Sequence, residues 1–195
     1  MTKKNKSLIT KTICFAFLIG AVLFIFVGCG RLQDFYYGDS LNNPIIKGGL
    51  KGWDSHSIFN NQVLKLPPGW QWEEISNIVT VSDDSNCVIA QGIHIDETRS
   101  TDSLPSSEEV IEKLIDSDII LSNEWRTEEF PNSSSIIGNG TTASWLLVDT
   151  ADGATIRLIH LHLHIDMNHS YNIFFVDDST EMVQIAQGLG YSLLQ

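Results

Sequence analysis

The chain has 195 residues, a length that suits one folded domain with a sizeable core. Four of its 12 basic residues precede Gly28, whereas all 24 acidic residues follow Cys29. From Cys29 onward, 12 − 4 = 8 basic residues therefore stand against 24 acidic ones, a net charge of −16. Such a surface repels nucleic acid and anionic lipid headgroups, so we expect no nucleic-acid partner.

Residues 1–28 have the pattern of a signal peptide. Lysines occupy the beginning, and a continuous apolar run follows at residues 13–27, shorter than the roughly 20 residues of a membrane-spanning helix. The run ends in F-V-G-C at residues 26–29, which resembles the lipobox of bacterial lipoproteins. That resemblance implies cleavage before Cys29 and acylation of its sulfur and amino group, for example with palmitate. The alternative is an uncleaved anchor with an incidental cysteine.

The lipobox pattern predicts a location in the bacterial cell envelope, on a membrane that faces the periplasm. The acidic domain has no electrostatic attraction to that membrane, so the lipid on Cys29 must supply the attachment. Gly30, rather than Asp, follows the cysteine, which by resemblance to enteric sorting rules favours the outer membrane over the inner one. Residues 29–57, rich in glycine and polar residues, are predicted to be a tether, and residues 58–195 the domain.

Cys87 is the one cysteine that such a processed chain would keep unmodified. An intramolecular disulfide is therefore not expected. Cys87 opens the apolar segment C-V-I-A, so we predict a small buried hydrophobic side chain.

The most regular part of the chain is the stretch from 142 to 176, which predicts an antiparallel meander with strands at 143–149, 155–166 and 170–177. Asp152-Gly153 tolerates the positive φ of a tight turn between the first two strands. In the middle strand, T-I-R-L-I-H-L-H-L-H-I-D, apolar residues alternate with polar ones almost throughout. The other elements are expected to pack on this meander.

Two helices and several strands complete the predicted fold. Ser106 and Glu109 fit a capping box that opens a helix at 105–118, and a last helix is predicted at 179–190. Further strands are predicted at 62–66, 77–81, 87–96, 124–130 and 134–138. The fold class is α+β, a twisted antiparallel β-sheet flanked by helices.

The order of these elements, with L-P-P-G-W at residues 66–70, resembles the PsbP-like fold, which includes bacterial DcrB-type lipoproteins. The resemblance covers roughly residues 58–194. It implies an α/β/α sandwich, in a family mostly of binding and assembly factors without catalytic residues. No catalytic site is carried over from it.

Three histidines, His160, His162 and His164, share one face of the predicted middle strand. Two such imidazoles could hold a zinc ion if a third ligand came from Asp166, His94 or His169. The alternative is a polar sheet face whose imidazoles bond to neighbouring side chains. The G-x-G-x-x-A pattern at 138–143 precedes a strand rather than a helix, so we interpret it as a turn.

Three tryptophans are candidates for lining a ligand groove, although for the first two the favoured interpretation is that they close the end of the sheet: Trp70, Trp72 and Trp125. Because no nucleophile–base pair or metal motif stands out, we expect a non-catalytic, lipid-anchored module that binds a protein or envelope ligand, without a cofactor. The alternative is a small hydrolase or metal-binding enzyme that uses the histidine strand.

Overall fold

A computed structural model describes residues 43–98, 105–120, 126–130 and 135–195. The predicted signal peptide, the predicted lipidation site Cys29 and Trp125 lie outside these ranges. Within them, no helix has the length and apolarity that crossing a membrane requires.

The described chain contains strands and a few helices, which we number in chain order. The strands are β1 (Asp54–Ser57), β2 (Val63–Leu66), β3 (Gln71–Ile75), β4 (Ile78–Ser82), β5 (Val88–Asp96), β6 (Arg126–Glu128), β7 (Ile136–Gly138), β8 (Thr141–Asp149), β9 (Thr155–His164) and β10 (His169–Phe175). The α-helices are α1 (Pro44–Lys47), α2 (Ser107–Ile115) and α3 (Thr180–Ser192), and a short 3₁₀ turn spans Phe59–Asn61.

One antiparallel sheet dominates the fold, with strand order β3-β4-β5-β10-β9-β8-β6 and β7 also paired to β8. The predicted meander is confirmed, because β9 pairs with β8 on one side and with β10 on the other. A tight turn at 151–153 joins β8 to β9, and Gly153 has the expected positive φ of 89°. The predicted α+β class, a mostly antiparallel sheet with a few helices, is therefore confirmed.

The alternation along β9 divides the sheet into two faces. Ile159, Leu161 and Leu163 are fully buried in a core that includes residues of α3, so we name this side the α3 face. Leu158 and Phe174 lie on the opposite side, in a second core that includes residues of α2, and we name this the α2 face. The hairpin β1–β2 also covers the α3 face, since Leu64 and Leu66 belong to its core. Apolar burial on both faces explains why β10 is apolar throughout its second half.

Helix α2 begins as the sequence predicts and ends three residues earlier. The Ser106 side chain accepts a hydrogen bond from the Glu109 amide, and the Glu109 side chain accepts one from the Ser106 amide, which completes the capping box. The helix ends at Ile115 because Asp116 adopts a left-handed conformation with φ of 52°.

Helix α3 extends two residues beyond its predicted end at 190 and contains two glycines, Gly188 and Gly190. A Cβ on Gly188 would lie 2.8 Å from Trp53, and one on Gly190 would lie 2.6 Å from Ile137. The glycines therefore allow close packing of the helix on its neighbours, and the helix continues to Ser192 because this packing offsets the low helix propensity of glycine.

Residues 43–57 belong to the folded domain, so the predicted tether at 29–57 is wrong over this range. The Asn43 amide donates hydrogen bonds to the Gln184 carbonyl at 2.7 Å and to Gln187 Oε1 at 3.2 Å, which ties α1 to α3. Ile46 and Leu50 are buried, and β1 pairs with β2. Burial of these two apolar side chains, which a polar spacer would not require, explains the difference.

One hairpin was not predicted from the sequence. Strand β3 pairs with β4 through a two-residue turn, Ser76-Asn77, in which both residues have positive φ, 53° and 68°. Such a turn usually contains glycine, so Ser-Asn is a weak signal.

Cys87 is exposed rather than buried, which corrects the prediction for its thiol. It lies in the turn that precedes β5, where its backbone amide donates a hydrogen bond to the Asp83 carboxylate at 2.9 Å.

Candidate functional site

The three strand histidines lie on the α2 face, and two of them share one hydrogen-bond acceptor. Oδ1 of Asn172, on the neighbouring strand β10, is 3.0 Å from Nε2 of His160 and 3.0 Å from Nδ1 of His162. Because a carbonyl oxygen only accepts, both of these ring nitrogens carry a proton. The two contacts join β9 to β10.

His160 is kept neutral by its surroundings. Burial lowers its pKa, an effect that the hydrogen bond to Asn172 opposes and the neighbouring His162 reinforces. The ring also stacks on Phe174, with centroids 5.1 Å apart and planes 15° apart. His160 therefore acts as part of the packed sheet surface at neutral pH.

His164 lies beside the turn that carries the G-x-G-x-x-A pattern. Its backbone amide donates to Thr141 Oγ1 at 3.2 Å, and a Cβ on Gly140 would lie 3.1 Å from its ring. Gly140 has a φ of 79°, and the segment joins β7 to β8, so the prediction of a turn is confirmed.

A second group, of polar and aromatic side chains, occupies the α3 face, and the sequence did not indicate that its members lie together. We name it the His94–His169 corner, and it comprises Phe59, Glu74, His94, Asp96, Asp166, His169 and Tyr171. Tyr171 pairs directly with His94, and His169 pairs with Asp96, across strands β5 and β10.

Glu74 joins two aromatic residues of this corner. Its Oε1 lies 2.8 Å from Nδ1 of His94, and its Oε2 accepts the hydroxyl proton of Tyr171 at 2.9 Å. The Tyr171 hydroxyl in turn accepts a hydrogen bond from the Phe59 backbone amide at 3.3 Å. Burial raises the pKa of Tyr171, and the charge of Glu74 and its hydrogen bond raise it further, so the phenol remains protonated.

His169 lies between two carboxylates. Its Nδ1 is 2.8 Å from Asp166 Oδ1, and its Nε2 is 3.5 Å from Asp96 Oδ1. The Asn168 amide and the His169 ring both bond to Asp166 and lower the pKa of its carboxyl. The Phe59 ring stacks on His169, with centroids 4.1 Å apart.

The structure excludes the predicted combination of the strand histidines with His94 or His169. These two lie on the α3 face, whereas His160 and His162 lie on the α2 face, so the sheet separates them. Asp166, the third suggested ligand, bonds to His169 instead. Among the residues that the structure describes, no three His, Cys, Asp or Glu side chains form a group that could hold a metal ion.

The sequence contained one signal for the His94–His169 corner. H-I-D at 94–96 and H-S-Y at 169–171 each place two polar or aromatic residues two positions apart, hence on one face of a strand. Only the pairing of β5 with β10 shows that the two segments are adjacent. The participation of Glu74 follows from the hairpin that the sequence did not reveal.

Two of the candidate groove tryptophans lie against the core of the domain. Trp70 and Trp72 are half-buried and pack against the core of the α3 face, and Trp72 meets Tyr171 edge-on at 5.3 Å. Trp125 lies outside the described residues.

The sequence matches no protein-family model, and no curated protein is similar enough to count as a relative.

Proposed function

We propose that this chain is a membrane-anchored lipoprotein of the bacterial cell envelope and acts as a non-catalytic binding or assembly module for a protein or envelope ligand. The observation that carries the proposal is that its histidine and tyrosine side chains form hydrogen bonds with other side chains of the sheet. His160 and His162 bond to Asn172, and His94 and Tyr171 bond to Glu74. Each of these bonds joins different strands of the sheet, which supports a structural role for the histidines and leaves binding to the outer surface.

The lipid anchor rests on the F-V-G-C sequence at residues 26–29. Because Asn43 already bonds to α3, only residues 30–42 connect Cys29 to the described domain. A chain of that length reaches roughly 45 Å when fully extended. The domain would therefore remain close to the membrane that holds Cys29, where its partner must also be found.

The PsbP-like sandwich is part of the same proposal. It is supported by a central antiparallel sheet with α3 on one face and α2 on the other. The L-P-P-G-W segment leads from β2 into β3, at the end of the hairpin that covers the α3 face.

The anchor is tested by the intact mass of the protein from bacterial membranes. We expect the wild-type chain to begin at Cys29 and to carry acyl mass, and Cys29→Ser to remain a full-length precursor. Cys87→Ser is the matched control, because this exposed cysteine has no part in anchoring. A wild-type chain without acyl mass would contradict the anchor.

Binding is tested with a photo-crosslinking amino acid at exposed apolar positions. Ile75, the last residue of β3, and Met167, between β9 and β10, are 63% and 88% exposed and lie at one end of the sheet, and Val88 and Val176 lie at the other end. We expect one pair to crosslink a discrete envelope component in cells and the other pair to give none. If neither pair yields a specific product, the binding module is refuted.

A further inference from the structure

Strand β3 forms one edge of the main sheet, and among the described residues no strand pairs with its outer side. It has five residues, whereas β6, at the opposite edge, has three. An unpaired edge presents a row of backbone N–H and C=O groups, to which an extended segment of another chain can form hydrogen bonds. The outer edge of β3 can therefore accept an added strand.

The register of the β3–β4 hairpin shows which backbone groups of β3 face outward. The two-residue turn makes its flanking residues, Ile75 and Ile78, a hydrogen-bonded pair. Such pairs alternate with non-hydrogen-bonded pairs along an antiparallel ladder, so the amide and carbonyl of Glu73 also face β4. The amides and carbonyls of Trp72 and Glu74 therefore face outward, where they can bond to an added strand.

Two side chains of β3 on the α2 face would lie beside those of an added strand. Ile75 continues the apolar row formed by Ile78 and the buried Ile93, and it is 63% exposed because the sheet ends there. Glu73, two residues earlier on the same face, is also exposed. Both positions would form non-hydrogen-bonded pairs with an added strand, in which opposite side chains approach most closely. An apolar residue opposite Ile75 and a basic residue opposite Glu73 would complement this edge.

The charge around β3 is negative. Gly69, two residues before the strand, donates its amide to Asp54 Oδ2 at 3.1 Å, and a Cβ on Gly69 would lie 3.0 Å from the Cβ of Asp84. Both aspartates are exposed, as Glu73 is. Among the residues that the structure describes, no lysine or arginine forms an ion pair with any of these three carboxylates. The three carboxylates therefore favour a positively charged partner.

A second copy of this chain fits the edge less well. Antiparallel pairing of two β3 strands through the outward groups of both Trp72 and Glu74 places Glu73 opposite Glu73 of the second copy. Like charges directly opposite each other on paired strands are destabilising. Charge complementarity therefore favours a different protein, one that carries basic residues.

We propose that the outer edge of β3 binds an extended basic segment of an envelope protein as an added strand. The strand is antiparallel, because antiparallel pairing is the more stable kind. The backbone groups of Trp72 and Glu74 bond to this segment. It carries an apolar residue opposite Ile75 and, two positions later, a lysine or arginine opposite Glu73. This inference rests on the proposed binding function, of which it specifies the surface and the class of partner.

The test measures hydrogen exchange of individual backbone amides by NMR in the full-length chain, purified in detergent. The probe is a blocked peptide with the central order Val-Thr-Lys, and the control peptide has Glu in place of Lys. We expect the Lys peptide to slow exchange of the Trp72 and Glu74 amides by about tenfold or more. The Glu73 amide, which already faces β4, should change little. Unchanged exchange at both outward amides overturns the proposal.

Charge reversal tests whether Glu73 selects the basic residue. Glu73→Lys should weaken binding of the Lys peptide by about fivefold or more, measured by fluorescence anisotropy, and should strengthen binding of the Glu peptide. Glu128→Lys makes the same change in net charge on the exposed strand β6, so it is the matched control and should bind as the wild type does. If Glu73→Lys fails to fold, Glu73→Gln decides the question, because it removes the charge alone and should bind both peptides equally.

The outcomes separate this inference from the proposed function. If crosslinking in cells captures an envelope protein while the Lys peptide leaves the outward amides unprotected, the binding function stands and this inference is overturned. If the Lys peptide protects Trp72 and Glu74 and Glu73→Lys removes that protection, the inference is supported, and a lack of crosslinked product then counts against the proposed function alone. Protection that arises without peptide as the protein concentration rises would assign the edge to a second copy and overturn the basic partner.

Discussion

Tyr171→Phe removes a single oxygen from the centre of the His94–His169 corner and leaves the ring in place. The side chain is fully buried, and its ring stacks on His94 with centroids 4.5 Å apart. The hydroxyl donates to Glu74 at 2.9 Å and accepts from the Phe59 amide at 3.3 Å. The substitution therefore creates almost no cavity, and the loss in free energy of unfolding measures the contribution of the two hydrogen bonds.

We expect Tyr171→Phe to lower the free energy of unfolding by about 2 kcal/mol. A hydrogen bond to a charged group contributes roughly 1.5–3 kcal/mol, and the Glu74 bond is of this kind. The longer bond from Phe59 adds little, and Glu74 can turn partly toward water because its side chain is 28% exposed. For a domain of this size, such a loss lowers Tm by roughly 4–8 °C.

Urea unfolding followed by tryptophan fluorescence measures this change. The midpoint should fall while the slope with denaturant stays constant, since the folded surface is unaltered. Tyr191→Phe, a half-buried tyrosine of α3, is the matched control and should cost less than about 0.5 kcal/mol. A double-mutant cycle with Glu74→Gln should give a coupling of about 1 kcal/mol. Equal, small losses for Tyr171→Phe and Tyr191→Phe, with no coupling to Glu74, would refute the assigned network.

Three further predictions concern other parts of the domain. Burial lowers the folded-state pKa of His160, so its contribution to stability is complete above the unfolded pKa of about 6.5 and is lost as the pH falls toward the lower folded pKa. When the free energy of unfolding is measured at a series of pH values, His160→Gln should make its fall with decreasing pH less steep, by at most about 1.4 kcal/mol per pH unit, which is the effect of one proton. Identical pH profiles for the wild type and His160→Gln would contradict this prediction. Gly92→Ala places a Cβ 2.3 Å from the Asn172 carbonyl oxygen on the paired strand. We therefore expect urea unfolding to show that the free energy of unfolding falls by about 3 kcal/mol or more. An unchanged stability would show that β5 and β10 are spaced differently. Ser106→Ala removes the cap of α2 and should cost about 1 kcal/mol, whereas Ser106→Asp, which can also cap, should retain most of the stability.

Local patterns predicted the centre of the fold well. The alternation in β9 requires one face to be apolar, and the Asp152-Gly153 turn makes its pairing with β8 the shortest connection. Ser106 and Glu109 similarly mark the beginning of α2, because the capping box uses only residues of that turn. Each of these features depends on neighbours in sequence.

The features that were missed depend on partners far away in sequence. Asn43 bonds to Gln184, 141 positions later, so nothing near Asn43 shows that the domain has already begun. Likewise, the glycines of α3 resemble helix breakers until Trp53 and Ile137 are seen to occupy the space beside them.

The candidate site shows the same division. From sequence alone, His160, His162 and His164 share one strand face, because side chains alternate along any strand. Which side of the sheet His94 and His169 occupy depends on the register of β5 against β10, and register is set by the burial of whole faces. Glu74 reaches His94 and Tyr171 only because the Ser76-Asn77 turn folds β3 onto β4. The sequence thus determined which histidines point together along a strand, and tertiary packing alone decided which carboxylates they meet.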